Sequence, residues 1–272
     1  MKTKPLAALA ASVALAIALT GCSSKANTVM GVNLVAPNTL TVCTNPPFKP
    51  MEYTDDKGAV VGFDMDVMGL VATKMGVTAK FVETDFAQIT SGAAMAAKKC
   101  DMAASSITIT EARKDAVLFS APYFSATQAL AAKSDGGIKG LADLKGKALA
   151  VQSDTTGADY ANTHAAEFGY TVTLFDDGGA ALTAILSGKV AATLIDLPIV
   201  ADFVRENPGT AMVTQFETGE LYGFALTKDA NGQALATIVN DVLATAEKDG
   251  TYLKLYQKWI DPTATSVPTP GA

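Results

Sequence analysis

Between residues 39 and 260, short apolar runs alternate with stretches in which apolar residues recur every three or four positions. The first pattern predicts buried strands and the second amphipathic helices. Thr39 to Thr44 is the first strand. The prolines of Asn45-Pro46-Pro47-Phe48-Lys49-Pro50-Met51 remove backbone donors and restrict their neighbours, so this segment is a stiff loop presenting Asn45 and Phe48. Val60 to Phe63 predicts a short strand, and Asp64 starts a helix with Val67, Leu70, Val71 and Met75 on its apolar face. Thr78–Glu83 is a strand, a helix follows Asp85-Phe86 and runs through Ala97, and Cys100–Ala104 is the next strand. Helices between strands imply a parallel sheet.

A second β-α-β-α-β series follows an apolar extended segment, Ala126–Lys133. Its strands are Lys147–Val151, Thr171–Phe175 and Val190–Ile195, with helices from about Ala158 and over Gly179–Leu186. Glu220–Thr227 predicts a strand returning to the first unit. Helices over Gly232–Glu247 and Thr251–Ile260 then complete it, the last packing through Leu253, Tyr256 and Trp259. The chain is therefore α/β and two-lobed, each lobe a mostly parallel sheet flanked by helices, joined by two crossing strands. The first lobe takes 39–128 and 222–260, the second 129–221. Residues 22–38 are expected to be an unstructured tether, and the Pro/Thr-rich stretch to residue 272 a disordered tail.

The amino terminus sets the compartment. Lys2 and Lys4 precede an apolar region, Pro5–Leu19, and Leu19-Thr20-Gly21-Cys22 resembles the lipobox of bacterial lipoproteins. Residues 1–21 are expected to be a signal peptide and Cys22 the lipidated residue, giving an extracytoplasmic, membrane-anchored protein. Cleavage removes two lysines and moves the net charge from −6 to −8, which disfavours nucleic acid as a partner. Cys43 and Cys100 remain, on strands that suit a disulfide if they are neighbours; two buried thiols are the alternative.

Candidate chemistry concentrates in Ser105-Ser106-Ile107-Thr108-Ile109-Thr110-Glu111-Ala112-Arg113. Thr110 suits an N-cap, which places Arg113 in a first helical turn, at the end of the dipole that disfavours a cation. A guanidinium there, with the hydroxyls of Ser106 and Thr108, makes a socket for a carboxylate; a surface Arg on an ordinary capped helix is the bland alternative. Asn45, Phe48, Phe86, Ser106, Thr108 and Arg113 all follow predicted strand ends, where parallel sheets gather their ligand loops. Asp196 follows a strand end in the second lobe, either as a helix cap or as a carboxylate for an ammonium. Asp64 and Asp66 look like first-turn dipole partners, with no further ligand to make a metal site. His164 falls within a helix with no nucleophile beside it, so neither an enzyme nor a cofactor is expected.

Pro47-Phe48-Lys-Pro-Met-Glu-Tyr53, Val61-Gly-Phe-Asp-Met-Asp66, the run from Ser105 to Arg113, Phe119-Ser-Ala-Pro-Tyr123, Leu141-Ala-Asp-Leu-Lys-Gly146 and the ending from Asp249-Gly-Thr-Tyr252 to Trp259 together resemble the polar amino-acid substrate-binding proteins of ABC importers, solute-binding protein family 3. The resemblance implies a hinged periplasmic-binding-protein-like fold closing on a free amino acid. Arg113 would clamp the α-carboxylate, aided by Ser106, Thr108 and the helix start at Thr156. Asp196 would take the α-ammonium, and Phe48 and Phe86 would pack on the ligand side chain. Asn45 stands where many basic-amino-acid binders carry an acid for the ligand's distal charge, which argues against lysine or arginine, and Gln152 replaces a charged residue seen in some relatives, so the expected ligand is a neutral polar amino acid such as glutamine, asparagine or cystine, with glutamate or aspartate next. The implied partner is an ABC permease and the implied state a monomer. The alternatives are a sensor module without a permease, or a dehydratase-type enzyme, for which no pocket acid besides Asp196 stands out.

Overall fold

The computed structural model describes residues 27–267. The expected signal peptide, Cys22 and the end of the expected tail lie outside them. Two five-stranded sheets form the two lobes. The first has the order Thr78–Glu83, Thr39–Thr44, Met102–Ala103, Ala225–Leu226, Leu118–Phe119, the first three paired parallel and Ala225–Leu226 antiparallel to the strand on either side. The second has the order Thr171–Phe175, Ala148–Gln152, Ala192–Asp196, Phe124–Lys133, Thr210–Tyr222, again with three parallel strands and an antiparallel flank. The central strands are covered on both faces, which is why Leu40-Thr-Val-Cys43 and Thr193-Leu-Ile195 are buried throughout.

Two long antiparallel strands connect the lobes, running from Phe124 opposite Tyr222 to Lys133 opposite Thr210. The return strand is longer than its sequence pattern indicates. Register shifts between Met212 and Thr214 and between Phe216 and Glu220 break its period-two alternation and hide it. The helix expected through Ala97 is two short pieces, Phe86–Thr90 and Ala93–Ala96, separated at Gly92, whose φ is 74°. Helix starts are capped as their residue types require: Thr110, Thr155, Asp177 and Asp229 each accept a hydrogen bond from an N–H three residues on.

Two segments expected to be unstructured are docked. Thr28–Val29 and Val32–Asn33 form a hairpin, Val32 and Leu34 are buried, and the Val35 N–H donates to Asp101 at 2.7 Å. Their apolar side chains find the first-lobe core, which a polar local composition cannot signal. At the other end, Val267 packs on the core and Gln257 Nε2 donates to the Ala264 carbonyl at 2.8 Å. Cys43 and Cys100 form a disulfide with their Cα atoms 5.6 Å apart.

Candidate functional site

The first-lobe wall begins where the strand Thr39–Thr44 ends. The Asn45 N–H donates to Ser105 Oγ at 3.1 Å, and its Nδ2 donates to the Thr84 carbonyl at 3.0 Å, so three strand ends are tied together. The following loop turns back on itself, with Phe48 N–H donating to the Glu52 carbonyl, and this carries the Glu52 side chain inward to 1% exposure. There Ser105 Oγ donates to Glu52 Oε1 at 2.7 Å. The turn into the helix Phe63–Met75 needs Gly62: its φ is 141°, and a Cβ would lie 2.1 Å from the Met51 carbonyl oxygen.

That close approach delivers Asp64 beneath the central loop. Asp64 is fully buried and accepts from the Ser106 N–H at 2.9 Å and the Tyr123 hydroxyl at 2.7 Å. It is a structural acid holding Ser106 in a left-handed conformation, φ 49°, rather than the dipole partner its position indicates. Asp66 likewise has another use, accepting from Lys258 Nζ and Trp259 Nε1 at 2.7 Å each and fastening the last helix. Arg113 lies in the first turn of Glu111–Ala116, as expected. Its guanidinium sits 5.3 Å from the centre of the Phe86 ring and donates to the carbonyls of Thr108 at 2.9 Å and Asp154 at 2.8 Å.

The second-lobe wall is built from the ends of Ala148–Gln152 and Ala192–Asp196 and from the start of the helix Thr156–Phe168. Asp196 makes no side-chain cap for the helix it precedes. Its carboxylate instead accepts from Gln128 Nε2 and the Tyr222 hydroxyl, both on the connecting strands. Gln128 Nε2 also reaches Glu220 Oε2 at 3.1 Å, and Thr156 Oγ1 and Thr108 Oγ1 donate to that same oxygen at 3.0 and 3.2 Å. Across the cleft, Gln152 Nε2 donates to Asn45 Oδ1 at 2.8 Å, and Lys49 pairs with Glu206 and lies 3.8 Å from Asp202.

All nine residues singled out from the sequence, Arg113, Asp196, Ser106, Thr108, Thr156, Phe48, Phe86, Asn45 and Gln152, line one cavity between the lobes. Glu52, Ser105, Gln128, Thr155 and Ile195 line it too and were missed. Gln128 had a weak signal: it is a polar residue just before the apolar run Ala129–Ala132, and the structure buries it fully. Glu52 had none, because its burial depends on a loop closure that its neighbours do not specify.

Burial dominates the electrostatics. It pushes the Glu52 carboxyl well above its usual range, with Asp64 adding repulsion, and pushes Asp64 up to about 7 against the bonds from Tyr123 and Ser106. Asp196 is also raised to about 7, by burial first and the Glu220 charge second. Arg113 is lowered by burial, against the attraction of Asp196 and Glu220. Among the described residues, none of Arg113, Asp196 and Glu52 has an oppositely charged side chain within 4.0 Å.

Two α/β lobes, two connecting strands and a cavity between facing strand ends define the two-lobed periplasmic binding proteins. The profile of the bacterial extracellular solute-binding proteins, family 3, matches residues 40–262, and the chain belongs to that family. It is 29% identical over 222 residues to the arginine-binding periplasmic protein of Mannheimia haemolytica, covering 80% of this chain and 90% of that one. It is 31% identical over 228 residues to the L-cystine-binding protein TcyJ of Escherichia coli, covering 81% and 82%. Among solved structures, an ancestral arginine-binding protein bound to arginine superposes with a TM-score of 0.76 at 38% identity, covering 82% of this chain and 98% of that one. The ancestral amino acid-binding protein AncCDT-1, a precursor of cyclohexadienyl dehydratase, gives 0.72 at 34% identity over 82% and 95%.

Proposed function

We propose that this protein is an extracytoplasmic receptor that binds a free α-amino acid between its lobes and delivers it, as a monomer, to an ABC permease, held at the membrane by a lipid on Cys22. One observation carries the reading. The cavity holds a guanidinium on the first lobe and a carboxylate on the second, each buried from most solvent and neither ion-paired among the described residues. Buried charges left without partners are costly. A zwitterion supplies both partners at once, its carboxylate to Arg113 and its ammonium to Asp196. It reaches both only when the lobes are together, so binding shifts the population toward closure. Relatives named for arginine and cystine support an amino-acid ligand.

The test is a thermal-shift screen of the twenty amino acids, cystine and polyamines on protein lacking residues 1–22. A ligand at 100 times its Kd adds about 2.7 kcal/mol. For a chain of this size that is a rise of roughly 5–10 °C. Arg113→Ala should abolish the shift for amino acids. A shift with polyamines alone would remove the carboxylate clamp, and prephenate turnover would replace the receptor reading with a dehydratase.

A further inference from the structure

Once Arg113 and Asp196 are assigned to the α-carboxylate and α-ammonium, the aromatic walls Phe48 and Phe86 and the amide pair Asn45 and Gln152 remain for the ligand side chain, beside Thr155, Ile195 and the buried Glu52–Ser105 pair. The orientation of both amides is fixed by chemistry. Asn45 Nδ2 faces the Thr84 carbonyl at 3.0 Å, and a carbonyl accepts only, so the nitrogen is on that side and Oδ1 on the other. Gln152 must then donate to Oδ1, which it does at 2.8 Å, and its second N–H points toward the Asp176 carbonyl at 3.4 Å. The Gln152 nitrogen is thus committed to the protein. Its Oε1 is bonded to no donor of the described residues, while the side chain is buried and lines the cavity. Arg113 is the one cation among the described lining residues.

Resting on the amino-acid reading, we infer that the Asn45–Gln152 pair selects α-amino acids whose side chain ends in an N–H donor, an amide, imidazole or guanidinium, and rejects those ending in a carboxylate. The Gln152 oxygen accepts from such a donor. A side-chain carboxylate in the same place meets that oxygen with no cation to offset it, and must leave its water without replacement hydrogen bonds. Glutamate and aspartate, placed second by the sequence, fall out of the ligand set on this ground.

The experiment is calorimetric titration of the wild-type protein with glutamine and glutamate, and with asparagine and aspartate, pairs that differ only in the terminal NH2 and O−. The amide is expected to bind at least about 100-fold tighter in each pair that binds, the size of effect for a charged group left unsatisfied in a buried site. Gln152→Lys should reverse the preference. Its ammonium inherits the two acceptors, Asn45 Oδ1 and the Asp176 carbonyl, and still offers a charge to a ligand carboxylate. The ratio of the two affinities is the readout, so partial loss of folding does not blur it. Glutamate binding as tightly as glutamine, or a ratio unmoved by Gln152→Lys, overturns the inference and leaves the amino-acid receptor standing. If no amino acid, arginine and histidine included, binds or shifts the melting temperature, the receptor reading falls and this inference falls with it.

Discussion

Asp64 in the first lobe and Asp196 in the second are both held at about pH 7 by burial, and each accepts a hydrogen bond from a tyrosine hydroxyl. Asp64 is sealed at 0% exposure, its oxygens taken by Tyr123 and Ser106. Asp196 retains 7% exposure, lines the cavity, and shares the Gln128 amide with Glu220. The same titration behaviour therefore accompanies two jobs. One acid shapes the loop that carries Ser106 and Thr108, and the other faces the cavity between the lobes. What separates them is access to the cavity, which a raised carboxyl pKa does not reveal.

The largest expected effect separates the lobes outright. The Cys43–Cys100 bridge closes a loop of 57 residues wholly within the first lobe. Replacing both cysteines with serine should destabilise the protein by about 4 kcal/mol on loop-entropy grounds. Hydrogen exchange should show the loss in the sheet containing Thr39–Thr44 and not in the sheet containing Ala148–Gln152. Equal loss in both would mean that the lobes unfold as one unit.

Substituting the two acids should then give opposite results. Asp196→Asn keeps the shape but removes the charge opposite an ammonium, so ligand affinity should fall roughly 10–100-fold, the range for hydrogen bonds to charged groups. The ligand-free protein should lose less stability than Asp64→Asn does, because the acceptor lost to Gln128 or Tyr222 is offset by no longer burying a carboxylate beside Glu220. Asp64→Asn leaves one oxygen where two donors were satisfied, and should cost about 1–3 kcal/mol of stability. Tight binding retained in Asp196→Asn, with affinity lost in Asp64→Asn, would reverse the assignment.

A pH titration sharpens the pair further. Both acids have folded-state pKa values near 7, above the ordinary Asp value of 3.8. Between those limits the folded protein binds more protons than the unfolded chain. Stability of the ligand-free protein should therefore be fully present below about pH 4 as far as these groups go, and decline as pH rises toward 7. The slope is at most about 1.4 kcal/mol per pH unit for each group. Glu52, also raised by burial, adds in the same direction. A bound ammonium favours the charged form of Asp196, so affinity should rise over the same range with release of a proton, read by calorimetry in buffers of different ionisation enthalpy. Asp64→Asn should remove part of the stability slope and keep the proton release; Asp196→Asn should remove a similar part of the slope and abolish the release.

These contrasts mark where the sequence could be read and where it could not. Local patterns were sufficient for the strands Thr39–Thr44, Thr78–Glu83 and Thr171–Phe175 and for the Thr110 cap, because alternation, apolar runs and hydroxyl caps act over a few residues. The convergence of Asn45, Arg113 and Asp196 on one cavity followed from parallel topology, which brings distant strand ends together. Asp64 does stand in the first helical turn, but its second job was not legible, because a buried acid bonded to a tyrosine 59 positions away looks, locally, like any acid at a helix start. The hairpin at Thr28–Asn33 was missed for the same reason: its anchors, Asp101 for Val35 and Asn231 for Asn33, are remote.

The smallest expected effect concerns the seam between the lobes. Gly178 and Gly179 open the helix Gly178–Ser187 in the second lobe, directly against the first-lobe loop. A Cβ on Gly179 would stand 2.5 Å from Pro47 Cγ, and one on Gly178 2.9 Å from Phe48 Cδ2. Alanine in a helix is otherwise favoured over glycine by about 1 kcal/mol. Gly179→Ala should therefore leave the ligand-free melting temperature unchanged or slightly higher, while disfavouring the closed arrangement in which Pro47 meets the helix. If the ligand bridges both lobes as proposed, that bias should appear as a loss of affinity of roughly 3–10-fold, with no cavity-lining residue altered. Small-angle scattering at saturating ligand should still show closure, reached at higher concentration. An unchanged affinity would mean that Pro47 moves aside at little cost, and that the stapled first lobe is more pliable at its cleft edge than its disulfide and buried acid imply.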